Sequence, residues 1–511
     1  MNKTIADLLS VQKPTSLAIG APDRAWLTYG GLRDLSARVA ADLHKFGIGR
    51  GDRVAIVLPN GPEMACAFVT IAQTAVTAPL NPAYRQEEYE FYLEDLQAKA
   101  LVVMADYDGP ALPAAEKFGV SILRLYVGTD DPAGAFSLTS ETTAQAADSS
   151  APQADDIALI LHTSGTTSRP KIVPLPQSNV VASAQNIRAS LALTQKDRCL
   201  NVMPLFHIHG LIAAVSASLA AGGQIWCAPG FNALKFFSQL EDAKPTWYTA
   251  VPTMHQAILA RAARNKAIID STPLRFLRSS SASLPAPVML ELTETFGAPV
   301  IEAYGMTEAA HQMCSNPLPP RAQKPGSVGV AAGPEVAIAH EVENRLLASA
   351  DIGEVVICGP NVTPGYEGNP KANESAFFVE GGKRWFRTGD QGAFDDQGYL
   401  RLTGRLKEII NRGGEKISPL EVDAILLGHS DIAQVVVFGV PHTKLGEEVA
   451  AAVVLKEGSI IGEKEIRAYA AEKLADFKVP RTVVILDEIP KGATGKIQRI
   501  GMAEKLGLAG K

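Results

Sequence analysis

The sequence predicts an α/β protein: a large N-terminal region of layered α/β subdomains plus a small barrel, followed by a small α+β C-terminal domain. Three observations support this prediction. Short β-branched runs alternate with helical patterns in the first half of the chain. Closely spaced Gly, Asp and Pro turns separate short runs between residues 328 and 403. After Lys407 the pattern changes to a compact unit with further apolar runs.

The length of 511 residues and the 46% share of hydrophobic residues suffice for two or more domains with cores of their own. In chain order, we predict strands at Arg53–Leu58, Ala100–Met104, Ile157–Leu161, Gly353–Cys358, Gln434–Phe438 and Ala451–Leu455. A polar segment at 144–155 is predicted to join two subdomains, and the main boundary is predicted at 404–407. The predicted division is residues 1–404 (subdomains near 1–150, 151–327 and 328–404), a hinge at 405–407, and a C-terminal domain at 408–511.

Composition narrows the functional classes. The net charge of −6 and a pI near 5.9 argue against nucleic-acid or anionic-membrane binding. The five cysteines are scattered without a C-x-x-C pair, which argues against zinc and favours free thiols in a reducing compartment. The apolar run at 211–221 is too short to cross a bilayer, and neither terminus carries a recognisable targeting signal. We expect a cytoplasmic monomer or small homo-oligomer whose partners are small molecules.

A loop rich in Ser and Thr follows the predicted strand at Ile157–Leu161. Residues 162–171 read His-Thr-Ser-Gly-Thr-Thr-Ser-Arg-Pro-Lys. Hydroxyls and free amides of such a loop bind anionic oxygens, Gly165 permits close approach of the backbone, and Arg169 and Lys171 add charge-assisted hydrogen bonds. The spacing matches neither the Walker loop nor G-x-G-x-x-G. The loop predicts a polyphosphate site outside the P-loop fold; the alternative is a surface turn.

Four further motifs follow this loop along the chain: Glu302–Glu308 (EAYGMTE), Arg387–Asp390 (RTGD), Gly404–Glu408 (GRLKE) and Pro490–Lys496 (PKGATGK). Together with the loop they resemble the signature of the acyl-adenylate-forming superfamily, which includes acyl-CoA synthetases, peptide-synthetase adenylation domains and firefly luciferase. The resemblance covers nearly the whole chain. One departure is Ile172, where the family usually has glycine. A β-branched residue does not easily take a positive φ, so we expect loop closure to differ slightly.

The resemblance implies a reaction in two steps. A carboxylate attacks the α-phosphate of ATP to form acyl-AMP and pyrophosphate, and a thiol then displaces AMP. The protein must hold two mutually repelling anions in line, so positioning and charge neutralisation should dominate. Glu308 is the candidate magnesium ligand because hard cations prefer carboxylate oxygens, and Thr307 beside it can donate to the α-phosphate. Asp390 and Arg405 suit the ribose hydroxyls.

The resemblance also implies that Tyr304 stacks on adenine, and that catalysis uses Lys496, Glu308, Thr307 and Lys171. The full set of ATP and AMP contacts it implies is Thr163, Ser164, Gly165, Thr166, Thr167, Lys171, Ser281, Ala282, Ser283, Glu302, Ala303, Tyr304, Gly305, Met306, Thr307, Asp390, Arg405 and Lys496.

Lys496 is the residue expected to bridge carboxylate and α-phosphate in the first step, because it lies in a Gly-Ala-Thr-Gly turn from which a flexible cation can reach another domain. The resemblance implies that the C-terminal domain is mobile and rotates about Lys407. Rotation would remove Lys496 and bring Arg412, Gly413, Gly414 and Lys416 to the site as contacts for coenzyme A. Since no carrier domain follows, free coenzyme A is the expected acceptor.

Three segments that line the acid pocket in the family are unusually polar here: Pro204–Gly210 with two histidines, Leu277–Ser283 with a serine run, and His311. Donors from His207, Ser281 and His311 suit a small, doubly anionic acid better than a fatty acid. His209 is interpreted as a core histidine, and a His-x-His metal site lacks a third ligand in the sequence.

The loop at 161–171 and the segments 247–253, 281–284 and 410–419 resemble oxalate-activating CoA ligases. The expected reaction is therefore oxalate + ATP + CoA giving oxalyl-CoA, AMP and diphosphate. Another small-acid ligase, such as a malonyl-CoA synthetase, is the nearest alternative; it would be favoured if an arginine or a longer cavity received the distal carboxylate. Loading of a carrier protein, a luciferase-like oxygenase and a non-catalytic AMP-binding protein are alternatives of other classes.

Overall fold

The protein is described from a computed structural model that covers residues 3–140, 145–147, 149–163, 170–490 and 498–509. Within these ranges the strands form four sheets, two large and two small. The two large sheets share one hydrophobic core, to which Ile56 of one sheet and Trp247 of the other both contribute. The predicted α/β class is confirmed.

The first large sheet is parallel at its centre and antiparallel at both edges. Across the described residues its nine strands lie in the spatial order Val330–Ala331, His311–Ser315, Val300–Met306, Phe276–Ser279, Trp247–Ala250, Arg198–Asn201, Gln224–Cys227, Leu17–Gly20 and Leu27–Thr28.

The second large sheet also has a parallel centre. In the part of the chain with described coordinates, its seven strands lie in the order Ser137–Ser140, Ser121–Tyr126, Ala100–Met104, Arg53–Val57, Val76–Pro79, Ile157–Thr163 and Lys171–Pro176. The last two form an antiparallel hairpin. The sheets therefore do not divide at residue 150: two strands after that point complete this sheet, and Leu17–Gly20 and Leu27–Thr28 belong to the other one.

The third sheet is antiparallel, as the turn-rich region from 328 predicted. Its described strands are Glu335–Ala339, Gly353–Cys358, Phe377–Glu380, Lys383–Phe394 and Leu400–Arg405, with the long fourth strand at its centre.

The C-terminal part contains the fourth sheet, whose described strands are Ile410–Arg412, Glu415–Ile417, Ile432–His442, Gly446–Leu455 and Thr482–Ile485. Its buried residues form two clusters that draw only on residues after 409. The fold of this part is therefore supported by a core of its own.

Helices cover the sheets. The described α-helices are Ile5–Ser10, Tyr29–Lys45, Pro62–Ile71, Gln86–Leu96, Ala111–Lys117, Gln177–Ser190, Ala217–Ala220, Phe236–Ala243, Pro252–Ala262, Lys266–Ser271, Ala286–Phe296, Pro370–Ala376, Pro419–Leu427, Glu463–Ala471 and Met502–Lys505. Short 3₁₀ turns lie at Ala263–Asn265, Thr307–Ala309 and Asp476–Lys478, and a π-helix spans His209–Ser216. Several helices start with proline in the first turn, where its missing N–H costs no hydrogen bond.

The predicted strands are all present, but those predicted at 434–438 and 451–455 are parts of the longer strands Ile432–His442 and Gly446–Leu455. Ala100–Met104 and Gly353–Cys358 match their predicted bounds, and the strand predicted at 157–161 continues to Thr163. The apolar run at 211–221 forms the buried π-helix and the short helix after it. In the described ranges, no helix combines the length and apolarity needed to cross a membrane.

Candidate active site

The polyphosphate loop connects the two strands of a hairpin. Thr163 ends the first strand and pairs with Lys171, which begins the second. Ser164, Gly165, Thr166 and Thr167 lie outside the described residues, as does Lys496. The Lys171 ammonium stands 4.3 Å from the centre of the Tyr366 ring, a cation–π contact that orients this cation.

Glu308 is held close to that lysine. It lies in the 3₁₀ turn Thr307–Ala309 directly after strand Val300–Met306, and its carbonyl accepts from the Thr363 amide at 2.7 Å. The Tyr366 hydroxyl donates to Glu308 Oε1 at 2.8 Å. Burial raises the pKa of Glu308, while the positive charges of Arg405 and Lys171 act in the opposite direction. The structure thus brings a buried carboxylate and two cations into one electrostatic environment.

Asp390 is the centre of a second group beside Glu308. It pairs with Arg405 across adjacent antiparallel strands, and Arg405 Nε lies 3.2 Å from Asp390 Oδ1. The Tyr304 hydroxyl donates to the other carboxylate oxygen. Burial raises the pKa of Asp390, and the Asp390 carboxylate raises the pKa of Arg405. Three residues from three separate motifs therefore meet here.

A histidine and serine cluster adjoins these groups on the first large sheet. His209 Nδ1 lies 3.0 Å from Ser281 Oγ, and His209 Nε2 lies 2.6 Å from Thr249 Oγ1. The rings of His209 and His311 are 5.1 Å apart. His207 is half-buried, and its Nδ1 accepts from the His209 amide at 3.3 Å. The fully buried His209, interpreted from sequence as a core residue, is thus the one that joins Ser281, Thr249 and His311.

The backbone of this cluster is strained. Ser281, Ala310 and His311 have φ values of 73°, 47° and 101°, a region that side-chain-bearing residues rarely occupy. Such conformations cost about 1–3 kcal/mol each and concentrate at functional sites. Gly305 permits the arrangement, because a Cβ there would lie 1.8 Å from the His311 carbonyl oxygen.

The serine run is fixed from behind by Glu302. Its Oε1 accepts from the Leu284 amide at 2.8 Å, and Ser280 Oγ donates to the Ala303 carbonyl at 2.8 Å. Ala282 and Ser283 are exposed between these two anchors. Glu302 is itself buried, and burial raises its pKa to about 8. Glu302 therefore supports the serine run through its hydrogen bond with the Leu284 amide.

This raised pKa makes stability depend on pH. An unfolded glutamate titrates near 4.3, so between that value and about 8 the folded protein binds the extra proton. The stabilising contribution of Glu302 is complete below the unfolded pKa and is lost as pH rises through the folded pKa. We expect Glu302→Gln to reduce the fall in melting temperature between pH values near 5 and near 8.5. Scanning calorimetry at both pH values measures the two melting temperatures.

Glu294→Gln, on the exposed surface of helix Ala286–Phe296, is the matched control. It should leave the difference between the two melting temperatures as in the wild type. If the melting temperature fell equally in Glu302→Gln and the wild type, Glu302 would not be the source of the pH dependence.

The predicted coenzyme A contacts form an exposed hairpin. Gly413 and Gly414 have φ values of 60° and 97°, which a two-residue turn with two positive φ angles requires. Arg412 Nε lies 2.6 Å from Glu448 Oε1, and Lys416 Nζ lies 2.5 Å from Glu341 Oε2 in the third sheet's region. Lys407, the predicted hinge, is exposed.

Two residues of the site, Tyr366 and His209, were not predicted from the sequence. Tyr366 contacts both Glu308 and Lys171, yet no motif marks it. His209 was visible in the His-x-His pair, but only the fold shows which histidine reaches Ser281. For metals, the described ranges contain no group of three or more His, Cys, Asp or Glu side chains close enough to hold an ion.

Comparisons with known proteins agree with this arrangement. Residues 10–367 match the AMP-binding enzyme family, and residues 421–496 match the AMP-binding enzyme C-terminal domain. The chain is 47% identical over 494 residues to an oxalate–CoA ligase of Arabidopsis thaliana, covering 95% of each chain. It is 42% identical over 478 residues to an oxalate–CoA ligase of Saccharomyces cerevisiae, covering 89% of this chain and 87% of the relative.

Among solved structures, ATP-bound MatB from Rhodopseudomonas palustris superimposes with a TM-score of 0.88 at 30% identity, covering 99% of each chain. The family match spans most of the chain, and the relatives align over nearly their full length. This chain belongs to the AMP-binding enzyme family and is an AMP-forming acyl-CoA synthetase that uses ATP and coenzyme A.

Proposed function

We propose that the acid activated by this synthetase is oxalate, and that the product is oxalyl-CoA, formed through an oxalyl-adenylate. The observation that carries the proposal is the cluster of His209, Ser281 and His311. His207, whose Nδ1 accepts from the His209 amide, stays a proposed contact of the acid beside this cluster. His209 begins the π-helix, Ser281 lies two residues after strand Phe276–Ser279, and His311 begins the strand that pairs with Val300–Met306, the strand that carries Tyr304 and leads to Glu308. A fatty acid needs apolar walls, whereas a second carboxylate needs hydrogen-bond donors inside the protein.

The same residues also favour a small acid as the substrate. His209 and His311 are buried, and their rings lie 5.1 Å apart. We infer that these two buried, closely packed rings leave room for only a short acid beyond the reacting carboxylate. The names of the relatives from Arabidopsis thaliana and Saccharomyces cerevisiae support oxalate over other short diacids.

The nucleotide half of the site supports the assigned roles. We propose that Asp390 and Arg405 hold the ribose, that Tyr304 stacks on adenine, and that Thr307 and Lys171 contact the phosphates. A single buried carboxylate, Glu308, fits magnesium, which is commonly bound by one or two carboxylates together with substrate phosphates. Magnesium would supply neutralisation of phosphate charge at this position.

We also propose the division into residues 1–404, the hinge 405–407 and the mobile domain 408–511, with Lys407 as pivot. The separate core after residue 409 and the exposed position of Lys407 support it. The exposed Gly413–Gly414 turn is then the element that approaches pantetheine after rotation. The five cysteines are all free, which fits the proposed cytoplasmic location.

The test is pyrophosphate release by purified protein with ATP, magnesium and coenzyme A. Oxalate, malonate, acetate, a medium-chain fatty acid and an aromatic acid are compared. We expect a strong preference for oxalate, with oxalyl-CoA confirmed by its mass. Preference for malonate would replace the substrate assignment with the longer diacid, and activity on an apolar acid would contradict the reading of the histidine cluster.

His311→Ala tests the pocket directly. Loss of a hydrogen bond to a charged group costs about 1.5–3 kcal/mol, so the KM for oxalate should rise on the order of tenfold to a hundredfold. The KM for ATP should change by less than about threefold. Steady-state kinetics with each substrate varied in turn measure both constants.

His44→Ala, on helix Tyr29–Lys45, which contributes no residue to the proposed site, is the control and should leave both constants unchanged. An oxalate KM that stays at the wild-type value in His311→Ala would remove His311 from the acid pocket.

A further inference from the structure

A buried cation lies behind the histidine cluster and has no part in the chemistry described above. Arg278 stands in the middle of strand Phe276–Ser279 and is completely inaccessible to solvent. Its Nη2 donates to Gln312 Oε1 at 3.2 Å. Its other two nitrogens, Nε and Nη1, find no hydrogen-bond partner among the described residues. Arginine is almost never fully buried unless it is paired.

No counter-charge accompanies this guanidinium in the described part of the chain. The only group whose charge acts on the pKa of Arg278 there is the Cys199 thiol. Burial raises the pKa of Cys199 well above its usual value, so this thiol is neutral at physiological pH. Burial lowers the pKa of Arg278 to about 9, which leaves it protonated at neutral pH. The described protein therefore retains an uncompensated positive charge in its interior.

The strand register places this charge beside the acid pocket. Arg278 pairs with Thr249 of the neighbouring parallel strand, so both side chains stand on the same face of the sheet. Thr249 Oγ1 lies 2.6 Å from Nε2 of His209. Gln312, which accepts the Arg278 hydrogen bond, directly follows His311. Arg278 thus adjoins both histidines of the cluster through one intervening residue each.

Gln312 has a defined orientation in this network. Its side-chain amide donates to Ser190 Oγ at 2.9 Å and to the Ala332 carbonyl at 3.0 Å. Its oxygen is therefore the atom that faces Arg278. Held on both sides, Gln312 fixes the guanidinium while leaving its charge unneutralised, because an amide oxygen carries no net charge.

We propose that Arg278 is the residue that makes the acid pocket selective for a doubly charged small acid. It acts as a positioning residue: from behind the cluster its charge attracts the second carboxylate, while His209, Ser281 and His311 supply the hydrogen bonds. Arg278 is held by Gln312 and does not itself receive the carboxylate, which distinguishes it from the arginine contact expected for the malonate alternative. An interior cation without a partner is stabilised when an anion binds beside it, since Coulomb attraction is weakly screened there. This inference rests on the proposed use of a short dicarboxylate.

The test compares oxalate with oxamate, which has the same shape but carries an uncharged amide in place of one carboxylate. We expect Arg278→Met to lower the ratio of kcat/KM for oxalate over oxamate by at least about tenfold, through the KM for oxalate. The kcat/KM for oxamate should stay within about threefold of the wild type.

Arg275→Met is the matched control, because it removes a cation one residue before the same strand, where Arg275 Nε pairs with Asp197 at 2.9 Å. It should leave the ratio unchanged. Arg278→Gln is made in parallel, so that a folded neutral variant is obtained if the methionine variant is unstable; circular dichroism and the KM for ATP verify the fold. Equal loss on both acids, or an unchanged ratio, in the neutral variant would overturn the inference.

The wild type provides an independent measurement. With the nucleotide present, oxalate should raise the melting temperature more than oxamate does, and an equal or smaller shift would count against Arg278. Wild-type enzyme that accepts malonate in place of oxalate would overturn the substrate assignment alone, and the malonate and malonamate pair would then decide the role of Arg278. Wild-type enzyme that accepts only monocarboxylates would overturn both.

Discussion

Replacing Lys496 by alanine should abolish acyl-adenylate formation and spare the transfer of a supplied acyl-adenylate to coenzyme A. The attacking carboxylate and the α-phosphate repel each other, and a lysine between them lowers this repulsion only in the first step. We expect pyrophosphate exchange to fall on the order of a thousandfold. Single-turnover thioester formation from synthetic acyl-AMP should stay within about threefold of the wild type.

Arg499, three residues after Lys496, is anchored beside the proposed pivot. Arg499 is paired with the carboxylate of Asp423, and its Nη1 lies 3.6 Å from Glu408 Oε2, next to the proposed pivot Lys407. The chain segment is therefore anchored three residues from Lys496. Lys505→Ala, on the exposed side of the last helix, is the control and should affect neither half-reaction. Equal loss of both half-reactions in Lys496→Ala would contradict the proposal that the C-terminal domain rotates between one conformation for each half-reaction.

Glu308→Gln should remove most of the magnesium-dependent binding of ATP. The substitution keeps the size of the side chain and an oxygen that accepts from Tyr366, which now bonds Glu308 at 2.8 Å. It removes the carboxylate charge that the described residues offer to a cation at this position, where burial makes that charge hard to replace. We expect the affinity for ATP in the presence of magnesium to fall on the order of a hundredfold. Calorimetric titration with and without magnesium measures this loss.

Tyr366→Phe separates charge from geometry, because it removes the hydrogen bond and leaves the carboxylate in place. Loss of this bond costs about 1–2 kcal/mol, so the affinity should fall by about fivefold to thirtyfold, less than in Glu308→Gln. Identical magnesium dependence in Glu308→Gln and the wild type would exclude Glu308 as the metal ligand.

Much of the fold was predictable because its signals are local. Ala100–Met104 is a continuous apolar run that only a doubly covered strand accommodates, and its bounds were predicted as the structure has them. Sheet membership was not predictable. The hairpin of Ile157–Thr163 and Lys171–Pro176 completes the seven-stranded sheet, although a polar segment precedes it and suggested a subdomain boundary. Strand pairing depends on contacts between distant residues, which no local pattern reports.

The sequence by itself determined the chemistry. Four of the five motifs supplied the described residues that meet around Glu308 and Asp390, because each motif keeps its residue types at fixed local spacing. The tertiary structure decided which side chains share a pocket. It selected His209 as the histidine that joins Ser281 and His311. It placed Arg278 on the sheet face of Thr249, the residue that contacts His209, without a counter-charge among the described residues. Burial and pairing are properties of the packed interior, so a cation in an apolar strand shows its role only after the chain has folded.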